Sequence, residues 1–303
     1  MVSPAVLGAN LALFAVALLW ASLVPAIDLL LHHYEAPTVA VLRYALALPF
    51  LLAALAWREG SAAFAGVPWG RLLRLGAAMA GFGIGYTYGI GLAGPVLAAL
   101  LGALGPLTAT AIAWAVFGER PRRGMAPALA LAVGGAVMAL LFAPPRQPAE
   151  IGLPGGLGTP LAGAAMLLAG GACWSLYSLG LYRWLPRWSQ LRTTTLTVSA
   201  GSMVLVAAYA GGLAAGVASP PRTLPDLPVA LLAAYAVIGP TIGGIWLWNA
   251  GVRVVGAPVA TFYLNLIPIF TVCLTALYGS YPAPGQLLGG ALILAGVVLA
   301  QRR

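Results

Sequence analysis

From Val6 to Leu31 nearly every position is apolar, and runs of the same kind recur down the chain. None alternates with a period of two. Each is close to the length of about 20 apolar residues that a helix needs to cross a bilayer core. Breaks rich in Pro, Gly and Arg divide the runs into ten predicted spans: 5–31, 36–57, 72–93, 95–117, 124–142, 160–184, 191–213, 228–250, 255–278 and 285–301. The pattern therefore predicts an all-α integral membrane protein with ten transmembrane helices. The opening MVSPAVLGAN has no basic region, and the apolar run after it is too long for a signal peptide, so no cleavage is expected.

Composition agrees with the pattern. The chain has 303 residues, 61% hydrophobic and 7% charged, against about 25% charged in soluble domains. All fifteen basic residues are arginine, and their placement sets a topology. Arg58, Arg71, Arg74, Arg120, Arg122, Arg123, Arg183, Arg187, Arg192, Arg253, Arg302 and Arg303 fall on one side of the predicted spans. Arg146 and Arg222 fall on the other, and Arg43 lies within span 2. The excess of positive charge marks the cytoplasmic side, which puts both termini in the cytoplasm of a bacterial-type inner membrane. The net charge of +9 thus orients the chain; a nucleic-acid binder would gather arginine on a folded polar domain. Cys173 and Cys273 have no metal-ligand company and are expected to be buried small residues. GIGLAG at 89–94 fits G-x-G-x-x-G, but at lipid depth and without a preceding strand it is no dinucleotide site.

The longest polar stretch, APPRQPAEIGLPGGLGTP at 143–160, separates two blocks of five spans. LLWASLVPAI (18–27) resembles ACWSLYSLGL (172–181), matching Trp20 with Trp174. AGPVLAALLGALGP (93–106) resembles GAPVATFYLNLIP (256–268), matching Pro106 with Pro268. GERPRRG (118–124) resembles GSYPAPG (279–285). Because five is odd, the second block starts on the opposite side of the membrane. Two inverted five-helix repeats follow, 1–142 and 160–303, joined by a linker at 143–159. Many secondary transporters are built this way, with a site at the midplane between the halves.

WAS in span 1, PTVAVLRYAL in span 2, LAALLGALGPLTATAIAWAVFGERP in span 4 and IWLWNAGVRVVGAPVATFYLNLIPIF in spans 8–9 resemble the EamA repeat of the drug/metabolite transporter superfamily. Within it, aromatic richness makes the chain most similar to ten-span amino-acid exporters of the YddG type. The second repeat departs from the GERP ending, with Ser280 where that pattern would have glutamate, so Glu119 has no symmetric twin. The resemblance implies a basket of ten helices around a central cavity, with alternating access.

Candidate site residues are those whose chemistry is costly in lipid. Asp28 and Arg43 lie at similar depth, roughly 9 Å inside the outer ends of spans 1 and 2, and are expected to form a structural ion pair or gate; substrate contact and proton coupling by Asp28 are the alternatives. Pro25 frees a backbone carbonyl just below them, open to a ligand or to a neighbouring helix. Trp20 and Trp174 occupy symmetric midplane positions, although indoles favour the interfaces. Tyr177 shares a helix face with Trp174, and Tyr86 sits among the glycines of GFGIGYTYGIG. Those glycines serve either a cavity or close helix packing. Trp246 and Asn249 share a face of span 8, and Asn265 lies mid-span in span 9. The expected substrate-binding set is Trp20, Tyr86, Trp174, Tyr177, Trp246, Asn249 and Asn265.

Aromatic faces with few charges suit neutral or zwitterionic solutes. Phosphorylated substrates would need several converging cations, and one arginine lies within a span. No catalytic, ATP-binding or metal-binding arrangement is evident, so no cofactor and no enzymatic activity are expected. The reading that emerges is a secondary exporter of small metabolites, foremost neutral or aromatic amino acids. A multidrug or quaternary-ammonium exporter of the same fold is the alternative, and a membrane-embedded enzyme or scaffold comes from another class. Partners are the bilayer and the solute. The spacing of Gly285 and Gly289 fits packing of span 10 either internally or across a dimer.

Overall fold

A computed structural model of the chain describes residues 3–121, 125–144, 160–221 and 224–301. Most of the linker at 143–159 lies outside those residues. The described residues form helices: α1 (Pro4–Leu31), α2 (Ala36–Ala45), α3 (Leu48–Glu59), α4 (Trp69–Gly102), α5 (Gly105–Phe117), α6 (Met125–Leu141), α7 (Pro160–Trp184), α8 (Gln190–Ala214), α9 (Leu227–Ala236), α10 (Gly244–Val255), α11 (Ala257–Leu264), α12 (Ile267–Leu277) and α13 (Pro284–Gln301). A π-turn over Val237–Gly243 joins α9 to α10. Six of these stretches are apolar and long enough to cross a membrane, and four shorter apolar helices complete the set of ten spans.

Helix count exceeds span count because prolines break the spans. Span 2 divides into α2 and α3 at Leu46 and Ala47, just before Pro49, and a break at Leu266 precedes Pro268 between α11 and α12. A similar break at Leu104 precedes Pro106 at the start of α5. Proline lacks the N–H that would continue the ladder, and its ring crowds the preceding turn. Spans 3 and 4 meet at Gly94 (φ 82°, ψ 162°), and α10 meets α11 at Gly256 (φ 82°, ψ 155°). The two glycines are 162 positions apart and share a conformation that side chains disfavour. The repeat read from sequence landmarks is thus written into the backbone, and the fold is all-α, two inverted five-helix repeats.

Close packing follows the small residues. On α4, added side chains at Gly81, Gly85 and Gly89 would collide with Cys173, the backbone of Met166 and Gly170, and Leu167 of α7. The glycines of GFGIGYTYGIG therefore serve helix packing rather than a void, with Gly83 making room for the Tyr44 ring. On α13, Gly285 meets Phe142, Gly289 meets Gly135 and Ala139 of α6, and Gly296 meets Ala128 and Ala132. The glycine spacing of span 10 is used inside the molecule. The cysteines differ from expectation: Cys173 is half-buried and Cys273 exposed. Thr271 and Thr275 are buried on α12, so Cys273, two residues from each, faces the other way.

Candidate functional site

The predicted site residues fall into separate groups around the interface between the repeats. One is a run of rings. Tyr86 stacks on Phe82 with centroids 5.0 Å apart, Phe82 meets Trp174 at 4.9 Å, and Trp174 meets Tyr177 at 5.3 Å. Spacings of four residues on α4 and three on α7 put these rings on facing helix surfaces. Tyr177 is buried and its hydroxyl lies 3.0 Å from the Thr197 hydroxyl of α8. Trp174 is 40% exposed. Measured from the helix ends away from the arginines, Tyr86 lies roughly 12 Å deep, Trp174 roughly 21 Å and Tyr177 roughly 26 Å. The run of rings therefore follows the long axis of the bundle.

Trp20 belongs to a second group. Its indole N–H donates to the Pro240 carbonyl at 2.9 Å, and its ring lies 5.6 Å from Trp248. The π-turn explains the free acceptor. Gly244 bonds back to Gly239 rather than to Pro240, so the Pro240 carbonyl is left for the indole. The carbonyl of Ala236, which Pro240 cannot reach for want of an N–H, accepts from the Thr241 hydroxyl at 3.0 Å. Gly244 leaves the space that the Trp20 ring occupies. Trp20 is thus a fixed strut between α1 and α10.

The same accounting settles Pro25. The carbonyl it frees, Ala21, accepts from the Thr271 hydroxyl of α12 at 3.0 Å. The gap in the α1 ladder is a joint between the repeats.

The remaining candidates are dispersed. Trp246 is 45% exposed, 5.8 Å from the guanidinium of Arg58 at the end of α3. Asn265 is half-buried at the break between α11 and α12. Nearby, the Tyr263 hydroxyl donates to Asn10 of α1 at 2.9 Å. The side chain of Asn249 lies outside the described residues. Asp28 and Arg43 are both buried, at 7% and 5% exposure. Nε and Nη1 of Arg43 have no hydrogen-bond partner among the described residues, and its guanidinium lies 5.4 Å from the Tyr44 ring.

Two cavities flank α1 and adjoin at Pro25, Leu29 and Tyr278. The larger, about 340 Å³, is bordered by Ser22, Tyr235 and Leu274 as well. The smaller, about 220 Å³, is bordered by Asp28, His32, Pro95, Thr275 and Ser280. Among the expected substrate residues whose side chains are described, none borders either one. His32 accompanies Asp28, with its Nδ1 2.9 Å from the Asp28 carbonyl.

At the arginine-rich end the repeats are tied by charge. Glu119 of the GERP sequence pairs with Arg183 at the end of α7, and Arg183 lies 4.4 Å from the Phe117 ring. Ser189, which caps α8, donates to Glu59 at 2.5 Å. Arg192 donates to the Ala65 carbonyl at 2.6 Å.

Sequence reasoning missed Phe82, Trp248, Pro240, Thr197 and Thr271. Phe82 was within reach, since it sits four residues before Tyr86 on one helix face. The others join elements far apart in sequence, and nothing local marks them.

Residues 7–141 and 161–301 each match the EamA-like transporter family. Two curated relatives from Bacillus subtilis (strain 168) are similar over most of the chain. The uncharacterized transporter YyaM is 24% identical over 225 residues, 73% of this chain and 68% of its own length. The uncharacterized transporter YrdR is 23% identical over 212 residues, 69% of this chain and 63% of its own length. A crystal structure superposes with a TM-score of 0.63 at 20% identity, over 97% of this chain and 96% of that one.

Proposed function

Because the chain belongs to the EamA-like transporter family of the drug/metabolite transporter superfamily, we propose that it exports small neutral or zwitterionic metabolites, foremost aromatic amino acids, by alternating access. The arginine-rich end is then the cytoplasmic one, and both termini lie there. The observation that carries this reading is the run of rings from Tyr86 through Phe82 and Trp174 to Tyr177, set between the repeats and along the transport direction. Aromatic faces at that depth offer stacking to an aromatic or amphipathic solute. In the proposed site Tyr86, Trp174 and Tyr177 touch substrate, and Asn265, Asn249 and Trp246 line its route in the second repeat. Trp20 forms the wall that holds α10 in place. Asp28 and Arg43 act beneath the outer loop, as an ion pair or gate or in contact with the substrate. The likeness to amino-acid exporters of the YddG type belongs to this proposal.

The test is flux in liposomes. Labelled phenylalanine, tryptophan and alanine are loaded, and efflux is followed with and without a pH gradient. Saturable efflux of at least one, lost on Trp174→Ala with folded yield intact, supports the reading. Wild-type flux from Trp174→Ala, or no amino-acid flux at all, overturns it.

One observation favours a second reading. Asp28 borders the smaller cavity with His32 and Tyr278, a setting that fits a quaternary ammonium. Efflux of a labelled quaternary ammonium that is abolished by Asp28→Asn would select this alternative.

A further inference from the structure

Resting on the proposal of amino-acid export, we infer that Arg43 is the carboxylate-binding group at the outer end of the ring run. It is 95% buried, as its exposure is 5%. Its Nε and Nη1 carry no hydrogen-bond partner among the described residues. The other described arginines with assigned partners lie near the arginine-rich end, on carbonyls, a carboxylate or aromatic rings. Arg43 lies roughly 10 Å into its span from the opposite end, at nearly the depth of Tyr86. Its guanidinium lies 5.4 Å from the Tyr44 ring, which packs on Gly83 of α4, between Phe82 and Tyr86 in the sequence.

A buried guanidinium with vacant N–H groups is costly, and ions at membrane depth pair or face water. A protein carboxylate on Nη2 would leave Nε and Nη1 open. The anion that fits must bring one delocalised charge and an apolar body. One cation is too little for a phosphate dianion but matches a carboxylate. The adjoining rings of Tyr86 and Phe82 then receive the side chain of the same solute. The ligand class is an aromatic or amphipathic monocarboxylate, and an amino acid satisfies it through its α-carboxylate.

The experiment measures binding to the purified full-length protein in detergent by tryptophan fluorescence and thermal shift, so that it does not depend on flux. The probes share one ring: phenylalanine, 3-phenylpropanoate, and phenylalaninamide, which lacks the carboxylate. Wild type should bind both acids more tightly than the amide. Arg43→Gln should weaken both acids by about tenfold to a hundredfold, the size of a lost charge-assisted hydrogen bond, and leave the amide unchanged. Arg43→Lys should fall between. On wild type, 3-phenylpropanoate should protect Arg43 from phenylglyoxal, read by peptide mass spectrometry, which decides the matter even where the variants do not fold. Equal affinity for acid and amide, full acid binding by Arg43→Gln, or labelling of Arg43 unchanged by the acid overturns the inference. Acid binding without amino-acid flux removes the export reading and keeps Arg43. Flux with no acid preference does the reverse.

Discussion

Span 3 and span 8 occupy equivalent places in the two repeats and are built in opposite ways. Span 3, the first part of α4, lies against α7 through Gly81, Gly85 and Gly89, with backbone nearly touching backbone. Span 8 is interrupted by Pro240 and a π-turn, and side chains hold it to α1: the Trp20 indole on the carbonyl that the turn releases, the Ser22 and Tyr235 hydroxyls on each other, and Leu13 against Gly251. The first contact is continuous and has little freedom, since any side chain there meets main chain. The second runs through side chains, those of Leu13, Trp20, Ser22 and Tyr235, with Gly244 and Gly251 leaving them room. An inverted repeat thus gives equivalent helices unequal stiffness, and the π-turned one is the candidate for movement. Bulges of this kind gather at functional sites.

The largest effect should come from breaking the stiffer side. Gly85→Leu places a side chain against the Met166 carbonyl and the Gly170 backbone. Overpacking of this kind costs about 1–3 kcal/mol or more. Folded yield by fluorescence-detected size exclusion should collapse. Gly134→Ala, where nothing lies within 4 Å, should keep wild-type yield; equal yields would refute the packing role of span 3.

The next effect falls on the looser side. Trp20→Phe keeps a ring but leaves the Pro240 carbonyl without its donor, at a cost of about 1–3 kcal/mol. Melting temperature and flux should fall together. Trp174→Phe should lower flux while the melting temperature stays within error, because Trp174 is partly exposed in the ring run. If the two variants behave alike, the strut and the proposed substrate ring are not distinct, and the division between them fails.

Thr271→Val orphans the Ala21 carbonyl beside Pro25. A loss of about 1 kcal/mol is expected in thermal or denaturant unfolding. Wild-type stability would mean that the joint at Pro25 is satisfied some other way.

The smallest effect concerns Arg58, whose guanidinium faces Trp246. An exposed cation–π contact contributes about 0.5–1 kcal/mol. Arg58→Gln should lower stability by no more than this and, on the proposed alternating access, alter efflux by a factor of about two to five. Flux identical to wild type would assign this contact to the surface rather than to a gate.

The sequence alone determined the ten spans, since apolar length and arginine breaks are local properties. It also determined the repeat, because matched Trp, Gly and Pro landmarks record duplicated backbone geometry such as that of Gly94 and Gly256. Tyr177 and Trp174 were legible as neighbours because helix periodicity places them on one face. The rest needed the tertiary structure. Whether Trp20 faced a cavity or a partner depended on a carbonyl 220 residues away, released by a turn in another helix. Whether glycines carved space or closed it depended on what lay opposite them, and α7 lay there. The carbonyl freed by Pro25 could be assigned only once α12 brought Thr271 to it. In a bilayer every backbone group must find a partner, but the sequence states only the need, while the packing of distant helices decides which partner meets it.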